Sequence, residues 1–190
     1  MAESNTHTVN NLIHLLDEAV ETASTHGCCY VIKDALEEVV RSGKEFLEPR
    51  FLQPAEGRYA RRLFHRDPAG RYSVLVMVWD AGQGTALHDH AGMWCVECVY
   101  RGRIKVVSYS KDSETGDVFE FSRETEIFAG PGEAGALIPP YEYHTIENAG
   151  VTPATTIHVY GGDMTWCDIF EPEGDKYRLQ RRELCFTDNG

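Results

Sequence analysis

After Gly57 the chain breaks into short β-branched and aromatic runs, among them RYSVLVMVWD, RIKVVSYS, DVFEFSRETEIF, TTIHVYGG and MTWCDIFE, with Gly, Pro, Asp or Asn in nearly every gap. Many short strands joined by tight turns bury a common face as a sandwich or a barrel. The residues before them have another period. TVNNLIHLLDEAVETAS places Val9, Leu12, Leu15, Leu16 and Val20 at helical spacing, with Thr8 or Asn10 as its cap and Gly27 as its break. YVIKDALEEVVRSG repeats the pattern with Val31, Ile32, Ala35, Leu36 and Val39 and ends at Gly43. The expectation is a mainly β domain over residues 1–190. An N-terminal helical segment over about 8–48 packs as a pair of helices, FLEPRFLQPAEG connects, and a barrel or sandwich fills about 57–190. The late basic stretch GDKYRLQRRELCF reads as a solvated edge strand or tail.

At 190 residues the chain buries a sizeable core without disulfides or a structural metal. A net charge of −12 argues against nucleic acid and against an anionic membrane surface, both of which need clustered Lys and Arg. No apolar run has the length of a membrane span, and MAESNTHTVNN shows no basic region followed by an apolar one. The six cysteines at 28, 29, 95, 98, 167 and 185 are scattered. Cys28 and Cys29 are adjacent and pair poorly with each other. Cys95 and Cys98 form a C-x-x-C with no second pair, which disfavours a zinc ribbon. Free thiols in a reducing, cytoplasmic compartment are the expectation.

HDHAGMWC, residues 88 to 95, carries the chemistry. On a strand, residues i and i+2 share a face, so His88 and His90 project together and Asp89 away from them. A third histidine, His144, stands in IPPYEYHTIEN. Converging imidazoles suit a first-row transition metal, and ligand type alone leaves iron, zinc and nickel open. Gly82 lies six residues before His88 and Gly102 twelve after His90. His7, His14, His26 and His65 have no partners by spacing and read as surface or structural. Cys98 faces away from Cys95, towards a core. Trp94 either faces a pocket mouth or packs.

Gly82, His88, His90 and Gly102, followed by Pro139, His144 and Asn148, resemble the two motifs of the cupin family. There are two departures. Tyr141 stands where the second motif has Gly, and Cys95 where the first has its ligating Glu. With a cysteine at that place the pattern is similar to the thiol dioxygenases, and to the cysteine dioxygenase family in particular, over about residues 57–170. The resemblance implies a cupin-type β-barrel (a jelly-roll sandwich) holding Fe(II) by His88, His90 and His144 alone. It implies a Cys95 able to form a thioether with Tyr160, a His158 and Thr156 that orient that tyrosine, and Trp79 in the core. In GRYARRL it implies Tyr59 and Arg61 as substrate-binding residues, with Arg61 on the substrate carboxylate. Arg62 would face the other way.

The implied partners are a small thiol and O2, with no nucleic acid, no membrane and no required protein partner. Three neutral imidazoles leave the cation its charge, which stabilises a thiolate. The implied reaction adds both oxygen atoms to sulfur, with L-cysteine as the first substrate and 3-mercaptopropionate or mercaptosuccinate as alternatives. Two other readings stay open. One is a different three-histidine cupin with another metal and an oxygen-bearing substrate. The other is a non-catalytic cupin that binds a small molecule. The segments Gly92–Trp94 and Gly161–Trp166 are candidates for controlling access.

Overall fold

The fold is that of a computed structural model, which describes residues 2–187; the side chains of residues 2–5 and of Thr22 fall outside that description. Helices α1 (Ala2–Thr22) and α2 (Thr25–Arg41) precede eleven strands. The break between the helices is at Ser24, whose side chain accepts from the Gly27 N–H and caps α2. Gly27 therefore lies inside α2 and breaks nothing, and Thr8 and Asn10 lie inside α1 rather than at its start. A serine cap decides the boundary more strongly than one helical glycine, whose cost is only about 1 kcal/mol. Leu12, Leu16, Cys28, Cys29, Ile32 and Leu36 form the buried stripe, while Leu15 is 44% exposed.

Strands β1 (Ala60–Arg66), β2 (Ser73–Trp79), β3 (Leu87–His88), β4 (Cys95–Arg101), β5 (Ile104–Thr115), β6 (Val118–Ala129), β7 (Ala134–Leu137), β8 (His144–Asn148), β9 (Ala154–Tyr160), β10 (Trp166–Glu173) and β11 (Lys176–Glu183) pair antiparallel. One sheet has the order β1-β2-β9-β4-β7, and the other closes as β10-β11-β6-β5-β8-β3. This is the cupin-type, jelly-roll arrangement behind an N-terminal helical pair.

The five-stranded sheet is covered on both sides, which explains why β2 and β9 are buried at every residue. Val74, Val76, Val96, Cys98, Ile157 and Val159 pack outward on the helices. The alternate residues Leu75, Met77, Trp79, Cys95, Val99 and Tyr160 face the interior with Ile104, Ile146, Cys167 and Ile169. Strand alternation thus assigns Cys98 to the helix-facing core and Cys95 to the barrel interior. Trp94 packs with the helix-side cluster, and the Gly161 N–H donates to its carbonyl at 2.9 Å.

Strand β11 corrects the reading of the late basic stretch as an edge or tail. It pairs along its length with β10, and its start pairs with β6. Tyr177 and Leu179 pack beside Phe119 and Phe170, and Arg178 between them is exposed. The chain then returns to β1, where Arg61 N donates to Thr187 Oγ1 and Thr187 N to the Arg61 carbonyl.

Two motif residues have mechanical roles. Gly102 has φ +81°, and a Cβ there would stand 2.7 Å from the Ala154 Cβ. Asn148 donates through Nδ2 to the carbonyls of Trp79 and Thr152 and accepts the Gly150 N–H, which ties the end of β8 to the end of β2.

Candidate metal centre and substrate cavity

His88 ends the two-residue strand β3 and His144 begins β8, and the two are direct cross-strand partners. His90 lies beyond the strand end, in the bend before Ala91, whose φ is +54°. The two histidines still converge, because the Asp89 carboxylate turns outward and accepts the N–H groups of Asp168 and Ala91. The ligand atoms of His88, His90 and His144 lie within 4.8 Å of one another.

His144 Nδ1 sits 2.9 Å from the Glu142 carbonyl and His88 Nδ1 3.1 Å from the Ala86 carbonyl. A carbonyl only accepts, so these Nδ1 atoms carry the protons and both Nε2 atoms present lone pairs. Burial holds all three imidazoles below the ordinary histidine range, and their mutual proximity adds to this at His90 and His144. Buried neutral imidazoles with lone pairs turned inward fit a first-row transition ion. His90 Nδ1 is buried and has no hydrogen-bond partner.

Around the trio runs a polar chain. Trp79 Nε1–H donates to Thr156 Oγ1 at 2.9 Å, and Thr156 Oγ1 lies 2.7 Å from His158 Nε2. The Thr156 hydroxyl proton then goes to Nε2, and His158 carries its own proton on Nδ1. That nitrogen faces the Tyr160 hydroxyl at 3.4 Å and Cys95 Sγ at 4.0 Å. Burial keeps His158 neutral, with its pKa lowered to about 3. Cys95 and Tyr160 are direct partners across β4 and β9, and both are buried. Burial first, then the Glu97 carboxyl, pushes the Cys95 thiol well up; burial and Cys95 do the same to the Tyr160 phenol.

A cavity of about 220 Å³ opens onto the trio and is lined by Tyr59, Arg61, Trp79, Tyr160, Met164 and Arg182, among others. Tyr59 stacks on Trp79 with ring centroids 4.5 Å apart. Arg61 Nη2 donates to the Met164 carbonyl, while its Nη1 is buried without a partner. Arg62, one residue on, turns to the opposite face and donates to the Gln53 carbonyl. The two candidate access segments touch, with Met93 against Gly162, and Met164 reaches into the cavity wall.

All eight sequence-designated site residues (Tyr59, Arg61, His88, His90, Cys95, His144, His158 and Tyr160) come together in this one region. Glu97 was not anticipated. It shares the inward face of β4 with Cys95, is buried, and stands 3.6 Å from His158 Nδ1 and 3.9 Å from His144 Nε2. The signal was available in CVECVY, where it is the single charge in an otherwise apolar run and lies two residues from Cys95.

An antiparallel barrel with three converging interior histidines defines a cupin-type protein with a candidate metal centre. Residues 41–173 match the family of cysteine dioxygenase type I, and the chain belongs to that family. It is 23% identical over 115 residues to cysteine dioxygenase type 1 of Homo sapiens and of Bos taurus, covering 60% of this chain and 56% of each relative. To the Danio rerio protein of the same name it is 21% identical over 123 residues, 64% of this chain and 60% of that one. The match thus spans little more than half the length of these relatives. Among solved structures it is similar to the TT1209 protein of Thermus thermophilus (20% identity, 60% of this chain, 91% of that one, TM-score 0.46). It is also similar to the cupin domain of Schizosaccharomyces pombe Cnp3 (13% identity, 55% and 61%, TM-score 0.43).

Proposed function

We propose that the protein is an Fe(II) thiol dioxygenase that converts a small carboxylate-bearing thiol, L-cysteine first, to its sulfinic acid. The observation that carries this reading is the unpartnered, buried Nη1 of Arg61 in the same cavity as the three histidines and the Tyr160 hydroxyl. The balance is R–SH + O2 → R–SO2H, so the substrate supplies all the electrons and no further reductant enters. Fe(II), held by His88, His90 and His144, supplies the redox chemistry that joins a thiolate to dioxygen.

The chain's own residues orient the substrate. Arg61, fixed by the Met164 carbonyl, offers Nη1 to the carboxylate and sets the distance of the sulfur from the histidines. Tyr59 on Trp79 forms a flat wall. Tyr160 holds a hydroxyl proton at the reacting end, with His158 at its oxygen and Thr156 behind. The facing of Cys95 and Tyr160 supports a thioether between them, made by loss of one hydrogen from each with O2 as oxidant. The cross-link would remove the rotamer freedom of Tyr160.

The whole chain, 1–190, is taken as one such unit, and its partners are the thiol and O2, with no nucleic acid, membrane or further protein. Among the described residues no helix is long and apolar enough to cross a membrane. The six cysteines are free, which supports a reducing, cytoplasmic setting. Arg182, a second cation lining the cavity, favours a second reading in which the thiol carries a further carboxylate, as mercaptosuccinate does.

The test is oxygen uptake by anaerobically iron-loaded protein with L-cysteine, 3-mercaptopropionate, cysteamine and mercaptosuccinate, with the sulfinate identified by mass. Uptake with a carboxylate-bearing thiol is expected. No uptake with any of the four, despite bound iron, overturns the reading.

A further inference from the structure

The barrel holds a second cavity, of about 370 Å³, apart from the one that opens onto the three histidines. Ile146 lines both and stands between them. Thr156 lines the second cavity, while His158, its hydrogen-bond partner, lines the first. The walls of the second are Val99, Ile104, Val106, Ile127, Phe128 and Ile146, so the body of the space is apolar. Its volume is within the range of small-molecule sites.

One polar group there is unaccounted for. Glu97 is 8% exposed, lines this cavity and not that of the histidines, and its Oε2 has no hydrogen-bond partner. His158 Nδ1, at 3.6 Å, is beyond hydrogen-bond length, and His144 Nε2, at 3.9 Å, is an acceptor because its Nδ1–H is committed to the Glu142 carbonyl. The cross-strand partner of Glu97 on β7 is Gly135, where an added Cβ meets nothing within 4 Å, so the space beside the carboxylate is open. A buried carboxylate without a donor is costly, and a cationic donor offsets that cost best. The other charges around the cavity do not supply one. Arg41 is paired with Glu37, which also holds Lys33, and Glu133 is a further carboxylate that accepts the Gly130 N–H. The free group in the histidine cavity has the opposite sign, being Arg61 Nη1.

We propose that this second cavity binds a small primary alkylammonium, with the ammonium on the Glu97 carboxylate and the alkyl chain along Ile104, Val106 and Ile146. A thiol that carries its carboxylate to Arg61 and an amine that carries its ammonium to Glu97 occupy separate places and do not compete. The proposal depends on neither the metal nor the identity of the thiol, and it stands or falls apart from the dioxygenase reading.

The test is calorimetric titration of the full-length protein with n-butylammonium at constant ionic strength and about pH 8, where the amine is protonated. Neutral n-butanol and anionic butyrate are the comparison probes. Saturable binding of n-butylammonium is expected, with a dissociation constant of about 1 mM or below, and roughly ten-fold weaker binding or none for the other two. Glu97→Gln keeps the shape and removes the charge. Gly135→Leu keeps the carboxylate and fills the space beside it. Each weakens n-butylammonium binding by roughly ten-fold or more, and Arg61→Ala leaves it unchanged. The absence of saturable binding by the parent overturns the proposal. So does an affinity within two-fold of the parent in Glu97→Gln, or in Gly135→Leu if the charge variant does not fold, because the amine then sits elsewhere on an acidic surface. n-Butanol bound as tightly as the ammonium also overturns it, since the cavity then has no use for Glu97.

Discussion

Stripped of metal, this fold becomes acid-labile. His88, His90, His144 and His158 are buried, and burial holds each below the ordinary value of 6.5, with His158 at about 3. A pKa lowered by folding contributes stability that is complete above the unfolded value and is lost as pH falls from about 6.5 toward the folded one. Glu97 has the opposite sign. Burial raises it to about 7, so the folded state takes its proton first and gains stability from about pH 7 down to its ordinary 4.5. Between pH 7.5 and 5.5, a histidine that stays neutral in the fold costs about 1 kcal/mol, as His158 does; His90 and His144, held well below the ordinary value, act with the same sign, His88 adds to them in direction, and Glu97 offsets about 2 kcal/mol. The histidines outweigh Glu97, and a net loss on the order of 2 kcal/mol is a sizeable part of the ~5–15 kcal/mol that holds a domain together. Urea unfolding of chelator-treated protein across this range measures it, and the slope near pH 6 corresponds to a net uptake of roughly one to two protons on unfolding. Adding metal, which binds the neutral imidazoles, moves the loss to lower pH. Stability that is flat or rises from pH 7.5 to 5.5 in the metal-free protein refutes this account of the buried histidines.

Arg61→Ala lowers kcat/KM for carboxylate-bearing thiols by roughly 10–150-fold, the weight of a hydrogen bond to a charged group, and leaves cysteamine turnover nearly unchanged. An equal loss on both substrates contradicts the assignment. Gly102→Ala forces a side chain at positive φ against Ala154 and lowers stability by about 1–3 kcal/mol, read as a fall in the urea midpoint. The intact mass of protein exposed to oxygen and thiol falls by two hydrogens, and Cys95→Ala abolishes the change. A parent mass that never moves removes the thioether from the account.

The H-x-H, the distant His144 and the choice of Arg61 over Arg62 were legible because strand alternation and motif spacing are local rules that survive folding. The interior position of Cys95 and the outward turn of Cys98 followed from the same parity. What was not legible depended on packing across elements. Gly27 looks like a helix stop until Ser24 is seen capping α2, and RLQRRE looks like a tail until Tyr177 and Leu179 are seen on the Phe119 and Phe170 rings. Glu97 was hidden by its company. A lone acid in an apolar strand reads as an edge residue, and only the pairing of β4 with β9 shows that it faces His158. His90 lies off the strand that the alternation argument assumed, yet the outward hydrogen bonds of Asp89 leave it on the same side as His88.

The measurement that goes to the centre of the account is turnover of iron-loaded protein with L-cysteine under isotopically labelled dioxygen in ordinary water. A sulfinic acid with both oxygens labelled is the result the account predicts. A product with no label, or labelled at one oxygen with the other from water, contradicts it.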